Sequence, residues 1–143
     1  MDQIYLKVNA LAVNESFVRG TIASYAARVN PTIDVISDIK TAVSEAVTNA
    51  IVHAYEMDES KEIEIIASID RDVLRVEVKD HGIGIENVAE AMTDFYTTKS
   101  FEERSGLGFT IMASFMDSLV VASEPGQGTS VTMTKKLKNR QVL

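Results

Sequence analysis

The chain has 143 residues, 45% hydrophobic and 24% charged, with a formal charge of −7, which is one domain's length and enough to bury a core. The absence of cysteine and the presence of only His53 and His81 exclude disulfides and thiolate metal sites and argue against a multi-histidine metal centre. The acidic balance argues against direct nucleic-acid binding, where Lys and Arg supply most of the affinity. No apolar run has membrane-spanning length and Asp2-Gln3 replaces a basic leader, so the expectation is a cytoplasmic protein without a membrane partner.

Ile4, Leu6 and Val8 alternate with polar residues and predict an opening strand. Asn14 offers an N-cap for a helix that carries Phe17, Val18, Ile22, Tyr25 and Val29, and Asn30-Pro31 ends it. A second helix starts near Thr32 or Asp34 and runs to about Ala54, with Ile36, Ile39, Val43, Ala46, Val47, Ala50 and Ile51 on its apolar face. After the polar break MDESK, Ile63, Ile65, Ala67 and Ile69 alternate, as do Leu74, Val76 and Val78; Asp70-Arg71-Asp72 between them predicts an antiparallel hairpin. From Asp80 to Ser105 the chain is irregular and polar, with a helical patch at Val88 to Met92. FTIMASFMDS is helical, with Ile111, Met112, Phe115 and Met116 inward. Leu119 to Ala122 and Thr129 to Met133 flank Pro125-Gly126-Gln127-Gly128 as a second hairpin. The basic cluster from Lys135 to Arg140 reads as a solvated tail. The pattern β-α-α-β-β-loop-α-β-β predicts a two-layer α/β sandwich, residues 1–143 forming one domain with helices against a mixed, mostly antiparallel sheet.

Glu45 and Asn49 stand one helical turn apart in SEAVTNAIVHAY. A carboxylate there can take a proton and an amide oxygen can ligate Mg²⁺, although an isolated E-x-x-x-N is also an ordinary solvated helix edge. Asp80-His81-Gly82-Ile83-Gly84 follows a strand; the glycines let backbone approach a flat ligand and the Asp can accept an exocyclic amine, while a plain turn has the same composition. Arg104-Ser105-Gly106-Leu107-Gly108-Phe109 runs into a helix whose first amides suit an anion, or simply enters that helix. Neither a P-loop nor a strand-linked G-x-G-x-x-G is present.

Glu45-x3-Asn49-x3-His53, Asp80-x-Gly82-x-Gly84, Gly106-x-Gly108 and Gly126-x-Gly128-Thr129, in that order, resemble the N box and three glycine boxes of the GHKL ATPase superfamily. The segments SEAVTNAIVHAY and FYTTKSFEERSGLGFTIM are similar to the bacterial anti-sigma factor serine kinases, most of all those of the sporulation anti-sigma F type. The resemblance implies the GHKL (Bergerat) ATP-binding fold with a lid over the nucleotide, from about Glu86 to Arg104. It implies ATP and Mg²⁺ as cofactors, Asn49 as the Mg²⁺ ligand and Glu45 as the general base. Asp80 would receive the adenine amine with help from Thr129, and Gly82 and Gly84 would leave room for base and ribose. Thr97, Thr98, Lys99, Arg104, Ser105, Gly106, Gly108 and Phe109 would meet the phosphates. His53 would fix the helix locally, and His81 would be an exposed substitution.

The implied function is that of an anti-sigma factor that phosphorylates its antagonist on serine with Mg-ATP. The partners would be a sigma factor, that anti-sigma factor antagonist and a second copy in a homodimer, with the first strand contributing to pairing and the helix around Arg19 to docking. The alternatives are a general-stress (sigma B type) kinase and a histidine-kinase-like ATP-binding module.

Overall fold

A computed structural model describes residues 2–93 and 108–138. Strand β1 (Asp2–Asn9) precedes helices α1 (Ala12–Ala27) and α2 (Ile33–Asn49), and α2 continues as a π-helical segment, Ala50–Ala54. Strands β2 (Glu62–Asp70) and β3 (Val73–Asp80) follow, then helices α3 (Val88–Thr93) and α4 (Phe109–Phe115) and strands β4 (Ser118–Glu124) and β5 (Gly128–Lys136). One sheet runs β1-β2-β3-β5-β4, and all four pairings are antiparallel. The fold is the expected α/β sandwich.

Period-2 alternation decides which face of the sheet is buried. Cross-strand register lines up Leu6, Ile65, Val78, Val131 and Val121 in one row, and Ile4, Ala67, Val76, Met133 and Leu119 in the next. Ile65, Ala67, Val76, Val78, Val131 and Met133 are all buried. Against these rows lies α2, whose buried Ile39, Ala42, Val43, Ala46 and Val47 recur at helical spacing. Each fully buried Ile, Leu or Val contributes about 1.5–3 kcal/mol by leaving water. The β2–β3 turn places Arg71 and Asp72 at φ 54° and 64°, the left-handed pair that a two-residue hairpin demands.

The helix boundaries depart from expectation in informative places. Thr32 does cap α2, its hydroxyl accepting the Val35 amide at 3.3 Å. Asn14 does not cap α1: the helix starts earlier, behind Leu11, and the Asn14 amide instead donates to the Asn9 carbonyl at 2.9 Å. The buried stripe of α1 is Val18, Ile22, Tyr25 and Ala26; Phe17 lies one position off it and is 56% exposed. Val29 falls beyond the helix end and packs against the core from there. In α4, Phe109 and Met112 are buried, whereas Phe115, expected inward, is 37% exposed. Lys135 and Lys136 belong to β5 rather than to a solvated tail. The Lys135 ammonium reaches the Asp38 carboxylate at 3.2 Å and the Phe115 carbonyl at the end of α4 at 2.6 Å, tying both helices to the sheet.

Candidate functional site

The two apolar rows of the sheet are followed by a polar one. Asp80 pairs with Thr129, and Thr129 with Ser123, each two places beyond Val78, Val131 and Val121 on the same inward face. Asp80 is 7% exposed and Thr129 9%. The Asp80 Oδ1 accepts the amides of Gly82 at 3.0 Å and Thr129 at 3.1 Å. Burial raises the Asp80 pKa above the usual carboxylate value, and the two amides oppose that rise. Among the described residues nothing donates to Oδ2, so one oxygen orients the carboxylate and the other is available to a ligand.

The Ser123 hydroxyl accepts the Ile85 amide at 2.8 Å, donates to the Gly128 carbonyl at 2.9 Å and lies 2.8 Å from the Thr129 hydroxyl. A hydroxyl has one hydrogen, so the arrangement that satisfies every group has Thr129 donating to Ser123 and keeping its own oxygen as an acceptor. Gly84 bends the chain at φ 78°, and a Cβ there would collide with the Glu124 carbonyl.

A cavity of about 510 Å³ opens between this sheet end and the helices, within the ordinary range for small-molecule sites. Ala46, Val78, Ile83, Val131 and Phe109 give it apolar walls, with Asn49, His53, Asp80 and Thr129 as its polar points. Asn49 lies on α2 and partly exposed, opposite the Asp80 row.

Glu45 shares that helix but faces a different space. It is half-buried, has no hydrogen-bond partner among the described residues, and burial raises its pKa. Its Oε1 lies against Gly108, so that a Cβ on Gly108 would run into it. On its other side Glu45 borders a groove of about 390 Å³ lined by Arg19, Ile33, Ser37 and Lys40. Arg19 pairs with Glu15, Nε to Oε2, at 3.1 Å. Of this pair one helical turn apart, Asn49 therefore lines the cavity and Glu45 the neighbouring groove, with the Gly108 backbone beside the carboxylate.

Gly108 is the N-cap of α4 at φ 62°. Phe109 contributes its backbone to the helix start, while its ring is buried in the core at 3% exposure. With seven residues, α4 offers a few N-terminal amides rather than a strong macrodipole. Thr97, Thr98, Lys99, Arg104, Ser105 and Gly106 lie outside the described residues. His53 borders the cavity; His81 is exposed and its Nε2 meets Glu64 at 3.3 Å.

Tyr55 and Ser123 were not among the expected site residues. The alternation of Leu119, Val121 and Ser123 carries the signal for Ser123, since it puts a hydroxyl on the inward face. Nothing local signals Tyr55, whose partner lies 26 positions away.

The residues fit an adenine nucleotide. The cavity has the Asp80 carboxylate at the sheet end of its apolar walls, beside Gly84, where a side chain would collide with the Glu124 backbone. Among the described residues no group of three His, Cys, Asp or Glu could hold a metal. A cation at Asn49 would therefore complete its shell with phosphate and water oxygens, which is the habit of Mg²⁺. No helix among the described residues is long and apolar enough to cross a membrane.

Residues 8–135 match the family model described as "Histidine kinase-like ATPase domain". An anti-sigma F factor of Clostridium perfringens is 52% identical over 136 residues, covering 95% of this chain and 97% of its own. One from Anoxybacillus flavithermus is 46% identical over 142 residues, covering 99% and 97%. Among solved structures, the RsbU and RsbW domains of Rv1364c from Mycobacterium tuberculosis align with a TM-score of 0.67 at 20% identity, over 96% of this chain and 32% of that one. The catalytic domain of the histidine kinase ThkA aligns with a TM-score of 0.57 at 18% identity, over 96% and 97%; at these identities both show a shared fold. With a family model spanning most of its length and relatives at about half identity throughout, the chain belongs to the histidine kinase-like ATPase domain family, and within it to the anti-sigma F factors.

Proposed function

We propose that this protein is an anti-sigma factor and a protein-serine kinase: it holds a sporulation sigma factor of the F type and transfers the γ-phosphoryl of ATP to a serine of the antagonist of that anti-sigma factor. The observation that carries the kinase reading is the position of Glu45. It is a half-buried carboxylate without a hydrogen-bond partner among the described residues, and it stands between Gly108 and a surface groove. A hydroxyl brought along that groove from the direction of Arg19 would reach Glu45 without crossing the nucleotide cavity. Burial raises the basicity of Glu45, which suits it to accept the serine proton as the oxygen attacks phosphorus.

Asp80 would accept the adenine amine through Oδ2, and Thr129 would offer its oxygen nearby. Asn49 would hold Mg²⁺, which when bound neutralises charge on the phosphates. Gly108 and the Phe109 amide would face the phosphate chain beside Glu45, with Thr97, Thr98, Lys99, Arg104, Ser105 and Gly106 supplying the remaining phosphate contacts. The chemistry is chiefly positioning and charge stabilisation, so one base and one cation ligand suffice.

In a homodimer, β1 would offer its outer edge and the exposed face that carries Tyr5, because Ile4, Leu6 and Val8 pack against the chain's own core. The matched relatives' name supports the sigma-factor partner and favours the F type over a general-stress type. Capture from a native lysate in Mg-ATP, followed by radiolabelled phosphate transfer onto the captured proteins, tests the proposal. A sigma factor together with a small protein labelled on serine is the expected result; labelling on histidine, or no labelling, would overturn the kinase assignment.

A further inference from the structure

We propose that the Tyr55 hydroxyl is a positioning group for the base end of the nucleotide site, acting as a wedge that ends the β2–β3 ladder and sets the turn on which Asp80 depends. The inference rests on the reading of Asp80 as the adenine acceptor. Register pairs Glu64 with Lys79, and continuing it by two places brings Glu62 opposite His81. No direct rung joins these two residues. Instead the Tyr55 hydroxyl stands between them, accepting the His81 amide at 2.8 Å and donating to the Glu62 carbonyl at 2.6 Å. The ring is 6% exposed, and the Tyr55 amide closes the π-helical segment on the Ala50 carbonyl at 3.0 Å.

The neighbouring contacts make the wedge consequential. The Ala54 carbonyl accepts the Ile83 amide at 3.1 Å, and the Gly82 amide between them goes to Asp80 Oδ1 at 3.0 Å. Three successive amides, of residues 81, 82 and 83, are therefore each assigned a partner, two of them on the end of the helix that carries Glu45 and Asn49. Ala54 acts through its backbone and Asp80 belongs to the turn itself. Among the described residues, Tyr55 is the one side chain outside the D-x-G-x-G segment that holds any of these three amides. A phenyl ring at position 55 would still block the rung while offering neither acceptor nor donor, leaving the His81 amide and the Glu62 carbonyl to find other partners. The turn would then lose its reference point, and the Asp80 carboxylate its fixed aim.

The test compares affinity for ATP with affinity for purine riboside triphosphate, which lacks only the exocyclic amine. The wild-type protein is expected to prefer ATP by about 10–100-fold, the worth of one charge-assisted hydrogen bond. Tyr55→Phe is expected to narrow that ratio by about 3–10-fold, through weaker ATP binding with little change in binding of the purine riboside triphosphate. An unchanged ratio, or equal weakening for both nucleotides, would reduce Tyr55 to a structural tyrosine. A wild-type ratio near one would overturn the adenine reading of Asp80 and the proposal with it. Hydrogen exchange of the His81 amide in the nucleotide-free wild-type protein gives a readout independent of the variant's folding. Slow exchange is expected, and exchange as fast as an exposed loop would refute the wedge.

Discussion

Glu45 and Gly108 are packed in contact: the Cβ of any other residue at position 108 would meet the Glu45 carboxylate and push it aside. The same glycine has φ 62°, a conformation that costs an L-residue about 1–2 kcal/mol. Gly108→Ala is therefore expected to lower the melting temperature by several degrees and to displace the carboxylate. Phosphoryl transfer should fall more steeply than ATP affinity, because Asp80 and its turn lie elsewhere in the cavity. Parallel melting, binding and transfer assays check this, and an alanine variant with full transfer activity would show that Glu45 needs no such register.

Glu45→Gln removes the proposed base and keeps its shape. ATP binding and sigma-factor capture should persist while transfer to serine drops about 10²–10⁴-fold. The substitution also has a stability signature. Burial raises the folded-state pKa of Glu45 above its unfolded value, so the native state binds more protons and stability from this group is lost as pH rises through the raised pKa. Glutamine removes that loss. The variant should melt higher than wild type at pH 7, with the gap closing as pH falls below the ordinary carboxylate range; thermal melts across pH 4–8 would reveal it.

Asp80→Asn retains an oxygen for the Gly82 and Thr129 amides but presents an NH₂ where the ligand's amine must sit. ATP affinity is expected to fall by about 10–100-fold with little change in the fold. Because burial raises the Asp80 pKa, wild-type ATP affinity should weaken on acidification from a higher pH than an exposed aspartate would give, and the variant should lack this dependence. Calorimetric titrations at several pH values separate the two.

Asn49→Ala should abolish the Mg²⁺ dependence of nucleotide binding while leaving binding of the nucleoside portion intact. Titrating ATP and adenosine with and without Mg²⁺ distinguishes the outcomes, and a full Mg²⁺ effect in the variant would remove Asn49 from the metal site.

Much of this was legible from spacing. Leu74, Val76 and Val78 announce a buried face, and the same count of two places Asp80 on it, which distinguishes a site residue from a turn residue. The buried face of α2 was likewise readable because helix period and burial agree from Ile39 to Val47. Reading failed where a feature depends on partners remote in sequence. Nothing near Lys135 discloses that Asp38 and the Phe115 carbonyl await it. Asn14 carries the right chemistry for a cap, yet the Asn9 carbonyl competes for its amide. The π-helical segment is silent because AIVHA suits an α-helix equally well, and its widening shows in the bond from Tyr55 to Ala50. The contact of Glu45 with Gly108 depends on where α4 packs, which helical spacing alone does not determine.

Strand β3 is the middle of the five, paired with β2 as far as Lys79 and with β5 to its last residue, Asp80. In a sheet of this kind the central strand is the last to open, and its amides exchange only through global unfolding. The floor of the cavity is thereby the most persistent part of the molecule. A base seated against Asp80 as proposed would therefore rest on an anvil, the part of the sheet that yields last.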